Sequence, residues 1–183
     1  WYPTDRMMHA PEDQECWGVK WRAGTSNFRT VDELFTKRNL WAIAAILDSI
    51  SKISDPAASD ALAFSLTGIC LGLSKMNRYM PEATFPFYLI TGTYYLPQIS
   101  CEEDVWHHFA NKVSRVAKGY SEISALWRSS SLLISTESAA EPLAIPAKSV
   151  DYIFTDPPYA DKVQYGELNF VWEAWLGFDT HWH

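Results

Sequence analysis

A chain of 183 residues that is 48% hydrophobic and 20% charged can bury one sizeable core, which excludes the disordered, collagenous and low-complexity classes. Its net charge of −7 argues against a general affinity for polyanions. Three cysteines with no C-x-x-C pair (Cys16, Cys70, Cys101) exclude a disulfide framework and a cysteine zinc site, and fit a reducing cytoplasm. No apolar run of membrane length and no basic-then-apolar leader occurs, so neither a membrane span nor a signal peptide is expected. The start at Trp1 and the close on Thr180-His181-Trp182-His183 predict an excised piece of a longer protein.

The charge is uneven. Residues 17–128 hold 12 Lys/Arg against 10 Asp/Glu, whereas 129–183 hold 2 against 8. The middle is therefore able to face phosphates through Lys37, Arg38, Lys75, Arg78, Lys112, Arg115 and Lys118, or to carry them as solvated helix faces.

Residues 1–29 lack periodicity and read as an extended lead. Thr30-Val31-Asp32-Glu33 forms a capping box and predicts a helix to about Ser51, with Leu34, Trp41 and Ala45 on its apolar stripe. Asp55-Pro56, a cap followed by proline at the first helical position, predicts a very apolar helix to about Lys75. Gly68 and Gly72 lie inside it at a spacing that permits close helix packing. Thr84 to Ile99 is aromatic and β-branched around Gly92, which predicts a short hairpin or an aromatic loop. A second capping box, Ser100-Cys101-Glu102-Glu103, opens a helix with Val105, Phe109, Val113, Val116 and Tyr120 at helical spacing. After the short apolar run Leu132-Leu133-Ile134 and a small-residue loop, Val150 to Thr155 has strand composition. Leu168, Val171, Trp172, Trp175 and Leu176 then predict a last helix that Gly177 ends.

The predicted strand 150–155 runs into Asp156-Pro157-Pro158-Tyr159. Two prolines stiffen the backbone and remove two amide donors, leaving a carboxylate and carbonyls as acceptors beside an aromatic ring. Such a cluster suits an exocyclic amino group, whose nitrogen lone pair is delocalised into a base. Acceptors on Asp156 and on a Pro157 or Pro158 carbonyl could hold both N–H bonds of such a group and favour a pyramidal nitrogen, which would stabilise an alkylation transition state more than the ground state. Tyr159 would stack on a base rotated out of a duplex. By composition a chance D-P-P-Y in a chain of this length is roughly a one-in-a-thousand event.

Together with Leu132 to Ala139, the run Ser149 to Tyr159 resembles the third and fourth motifs of the amino-group DNA methyltransferases. Tyr165 to Phe170, Trp172 to Leu176 and, more weakly, Leu34 to Leu40 resemble a large bacterial adenine-specific subgroup of that family. The resemblance covers about 135–177. It implies S-adenosylmethionine as cofactor, double-stranded DNA as partner, and Asp156, Pro157, Pro158 and Tyr159 as the catalytic tetrad. It also places Glu137 or Ser138 near the cofactor's adenosine. Adenine N6 is preferred over cytosine N4, because the aspartate form is commoner among the adenine enzymes. A restriction system is the setting expected, with this protein as one of its subunits. The implied fold is α/β: an incomplete Rossmann-like methyltransferase domain with a predominantly helical insertion, helix-rich overall. The expected parts are a lead over 1–29, a helical insertion and candidate target-recognition region over 30–130, and part of the catalytic domain over 131–183. The family's glycine-rich cofactor loop is missing, so the chain alone is expected to be inactive and to bind cofactor poorly.

Lys112, Arg115 and Lys118, at i, i+3 and i+6 of the third helix, are the candidate DNA-contacting row. His107-His108 and His181/His183 complete no tetrahedral ligand set and read as surface or packing histidines, with no metal expected. Trp1, Trp17, Trp21, Trp41 and Trp106 read mostly as core rather than as base-stacking platforms. Two other functions remain open: a DNA- or partner-binding helical module without catalysis, and an RNA or protein-glutamine methyltransferase.

Overall fold

The computed structural model describes residues 1–7, 28–82, 89, 94, 96–126, 133–134, 145–156 and 165–180. Four α-helices carry this part of the chain: α1 Lys37–Ile50, α2 Pro56–Cys70, α3 Val105–Leu126 and α4 Tyr165–Leu176. The fold is helix-rich. Among the described residues β-structure amounts to three isolated antiparallel bridges, Arg6 with Thr30, Asn77 with Leu89 and Arg78 with Ser100.

The first capping box does not open α1. Val31–Leu34 forms a single 3-10 turn, and Phe35 and Thr36 return to extended backbone before the α-helix begins. Thr30 makes no side-chain cap, and the Glu33 carboxylate instead accepts the backbone N–H of Arg29. The working cap is Thr36, whose Oγ1 accepts the Asn39 N–H at 3.2 Å. The apolar stripe moves with this restart. Leu40, Ile43, Ala44 and Ile50 are buried, while Trp41, one position round the helix, is 69% exposed.

Asp55 caps α2 as its position before Pro56 predicts, with Oδ1 accepting the Ala57 N–H at 3.0 Å. The helix then tightens into a 3-10 turn over Leu71–Leu73. By length and composition alone Pro56–Leu73 could cross a membrane, and a third of it is buried in this fold. It packs chiefly on α3. A close approach is present at Gly68: a Cβ there would come within 2.7 Å of Lys112 Cε, so the end of the lysine side chain lies over the glycine.

The second capping box also yields its role. Residues 77–79 pair with 99–101 through the Tyr79 N–H to Ile99 O (2.9 Å) and the Cys101 N–H to Asn77 O (2.8 Å). Ser100 is thereby committed to β pairing, and Asp104 caps α3 by accepting the His107 N–H. Most of the aromatic stretch 84–99 lies outside the described residues. At the far end the sequence reading holds closely. Gly177 adopts φ +72°, and its N–H and that of Phe178 return to the carbonyls of Ala174 and Glu173, the two bonds of a glycine-terminated helix.

One buried cluster draws on all three expected parts of the chain: Met7 and Phe28 from the lead, Ile43, Ile69 and Phe109 from the helical block, and Phe170, Val171 and Trp175 from α4. The lead is paired within itself from Met7 N–H to Arg29 O, and the Val31 N–H bond to Asp5 O joins it to the helical block. Thr180 Oγ1 donates to Asp5 Oδ1 at 2.9 Å, which ties the two ends of the described fold together.

Candidate active site

The segment leading to the tetrad departs from expectation. Residues 150–156 carry no regular secondary structure, with a bend at Asp151, and none of them makes a backbone hydrogen bond among the described residues. A strand of this composition, with Val150, Tyr152 and Phe154 on one face and Ile153 between Asp151 and Thr155 on the other, needs strands beside it and a layer over its apolar face. Here Tyr152 is 80% and Phe154 82% exposed, and Val150 and Ile153 are exposed as well. The run is entered through a turn at Ala147 and Lys148. Lys148 takes φ +61°, and the Ser149 hydroxyl closes the turn on the Pro146 carbonyl at 2.7 Å.

Asp156 ends this run with an exposed carboxylate that no described arginine or lysine engages. Pro157, Pro158 and Tyr159 lie outside the described residues, as do Glu137 and Ser138. Beyond the tetrad the chain is firmly held. On α4, Phe170, Val171, Ala174 and Trp175 are buried, Trp175 meets Phe35 edge-on at 5.4 Å, and Trp172 Nε1 donates to the Thr67 carbonyl of α2 at 3.1 Å. Each large apolar side chain sequestered in this way stabilises the docking of α4 by about 1.5–3 kcal/mol. In sequence, the tetrad thus falls between an exposed run without regular structure and a helix anchored in the core.

The three candidate DNA-contacting residues do not act as one row. Lys112 is half-buried with its stem across Gly68. Arg115 is exposed, and Lys118 faces Glu122 at 3.8 Å with both side chains in solvent. A spacing of three residues falls short of a full helical turn, so successive members rotate round the helix and the first is carried into the α2 interface.

Of the tryptophans assigned to the core, Trp1, Trp41 and Trp106 are exposed, while Trp17 and Trp21 lie outside the described residues. Rings from Phe28, Phe35, Phe109, Phe170 and Trp175 fill the interior instead. His108 Nε2 lies 3.3 Å from Glu103 Oε2 and His107 Nε2 meets Asn111 Nδ2 at 2.9 Å. Among the described residues no three His, Cys, Asp or Glu side chains converge as a metal would require.

Sequence reasoning passed over Asn39. Its side chain is buried, with Nδ2 donating to Leu73 O (3.0 Å) and Glu103 O (3.2 Å), so it links α1 to the ends of two neighbouring elements. A buried asparagine in the first turn carries no periodic signal, since polarity there reads as a solvent-facing position.

A cradle for S-adenosylmethionine is not present among the described residues. Gly68 and Gly119 are helical, Gly72 lies in a 3-10 turn and Gly177 terminates α4, so none follows a strand into a phosphate- or carboxylate-facing loop. In comparisons with known proteins, no family model, no curated protein and no solved structure matches the chain.

Proposed function

We propose that this chain carries the amino-group-binding part of a DNA methyltransferase, with adenine N6 preferred over cytosine N4 as acceptor. The reading is carried by one observation: Asp156, at the head of Asp156-Pro157-Pro158-Tyr159, presents an exposed carboxylate with no cationic partner among the described residues, at the end of an exposed run rich in large apolar side chains. A carboxylate in an ion pair would be a spent acceptor; this one is available to an N–H donor. Asp156 accepts one N–H of the base's amino group, the proline carbonyl beside it accepts the other, and the nitrogen lone pair is released from conjugation toward an electrophile. S-adenosylmethionine is the methyl donor that the motif resemblance implies. The described residues provide no site for it, and the roles of Asp156 and the proline carbonyl belong to the acceptor side of the reaction alone.

The test uses the full-length protein with labelled S-adenosylmethionine and duplex DNA. Asp156→Ala should lower methyl incorporation on the order of 10²–10³-fold, the loss typical for one preorganised polar group at a reacting centre, while DNA affinity is retained. Label should appear in N6-methyladenine after nucleoside digestion. An unchanged rate in Asp156→Ala refutes the assignment of Asp156. Incorporation into RNA or into a protein amide with none into DNA refutes the substrate class.

A further inference from the structure

Beside the start of α1 lies a groove of about 700 Å3, bordered by Tyr2, Asp32, Glu33, Lys37, Trp41 and Lys75. Its floor is apolar, formed in part by the buried rings of Phe28 and Phe35. We infer that this groove binds a nucleotide unit, a base carrying one phosphate, at a place separate from Asp156.

Lys37 and Trp41 are four residues apart on α1. They stand on one face of the helix, about one 5.4 Å turn from each other, with the lysine toward the N-terminus. The indole is largely in solvent and makes no ring contact with a described residue, so a π-face is open to a base. Lys37 is exposed and sits at the positive end of a 14-residue helix, where an anion is favoured. Across the groove Lys75 is held in place. Its backbone N–H donates to Leu34 O at 2.7 Å and its Nζ to Glu33 O at 2.8 Å, which leaves two ammonium protons for a ligand. The Asp32 side chain offers an acceptor to a sugar hydroxyl or a base N–H. Glu33 is occupied by the Arg29 N–H.

The balance of two ammonium groups against two carboxylates selects within the class. A single phosphate is matched by the lysines, whereas a di- or triphosphate would set extra charge against Asp32 and Glu33. A free mononucleotide and a nucleotide of a single strand present the same chemistry, and competition separates them.

The experiment is fluorescence anisotropy of a 5′-labelled hexadeoxyadenylate with the 183-residue chain at low salt. Trp41→Ala and Lys37→Glu should each weaken binding about 10-fold, within the range that loss of one base–aromatic stack produces. Trp41→Phe should stay near the unsubstituted protein. Both side chains are exposed, so the variants leave the buried cluster intact, which circular dichroism checks. Displacement by dAMP identifies a free-nucleotide site, and displacement only by unlabelled oligomer identifies a strand site. Equal affinity of Trp41→Ala, or displacement by inorganic phosphate as effective as by dAMP, overturns the inference. Tighter competition by ATP than by dAMP overturns the charge argument.

Discussion

Asn39→Asp changes one atom type and should cost more than its size suggests. Asn39 is 2% exposed, and its amide donates to two carbonyls at 3.0 and 3.2 Å. Asparagine to aspartate turns that donor into an anion pointing at two oxygens. Losing two hydrogen bonds removes about 2 kcal/mol. A buried charge without a partner adds to this, and its place in the first turn of α1 returns about 0.5–1 kcal/mol through the helix dipole. A net loss of about 3 kcal/mol is expected at pH 7.5, a large share of the 5–15 kcal/mol typical of a domain. Asn39→Ala loses the same bonds without the charge, at about 2 kcal/mol. The two variants separate by pH. Burial and the facing carbonyls disfavour the charged form, so the new carboxyl's folded pKa rises above its unfolded value. Its extra penalty is therefore complete above the folded pKa and fades as pH falls toward the unfolded value of about 3.9. Below that, the protonated acid can donate one bond. Urea unfolding followed by circular dichroism, at pH 7.5 and 4.5, should place Asn39→Asp below Asn39→Ala at the higher pH and level with it or above it at the lower. A gap between the variants that does not move with pH refutes the buried-donor account. So does Asn39→Asp remaining within about 0.5 kcal/mol of the unsubstituted chain at pH 7.5.

Gly68→Ala tests the α2–α3 contact: alanine gains up to about 1 kcal/mol of helix propensity, and only the end of the flexible Lys112 side chain stands in its way. Urea unfolding should show a change between zero and a gain of about 1 kcal/mol, and a loss beyond about 1 kcal/mol would mean that the lysine stem is fixed. Thiol alkylation followed by mass spectrometry should separate the two described cysteines. Cys70 is buried and its thiol is pushed up by burial, so it should react only on unfolding. Cys101 is raised by burial first and then by Glu103, whose Oε1 accepts its S–H at 3.3 Å. Its thiolate should therefore form only above the ordinary thiol range, with slow labelling at pH 8 that speeds up in Glu103→Gln. Equal rates in that variant and the unsubstituted chain would remove Glu103 as a cause.

The features legible in sequence are those whose signal is local. Asp55-Pro56 opens α2 and Gly177 ends α4 because each acts on its own backbone within a turn. The two capping boxes were equally local, and both were overruled from outside their helices. Arg29 and Thr30 are drawn toward the lead by pairing with residues 6 and 7, and Ser100 by pairing with Arg78. A cap contributes about 1 kcal/mol, too little to resist main-chain pairing that also buries Met7 and Val31. Long-range competition of this kind leaves no trace in the spacing of residues. For the candidate site, the strand expected over 150–155 did not form, because strand composition states what a segment needs and not whether its neighbours are at hand.

The exposed run 150–156 bears on the candidate site directly. Several large apolar side chains of strand composition lie in solvent, at a cost of roughly 25 cal/mol for each Å2 of apolar surface left uncovered. Their main-chain groups bond to no described residue. Downstream, α4 is fixed by Trp172 on α2 and Trp175 on Phe35, so the chain is anchored again from α4 onward. A strand beside 150–155 would anchor the side that leads into Asp156. Under the proposed function the amino group is gripped only when both sides are held, because acceptors that stabilise a developing charge must be in place before it forms. Covering the apolar run and ordering the Asp156 carboxylate are then one event, and occupancy of the strand's edges would govern activity without any change in the residues that touch the base.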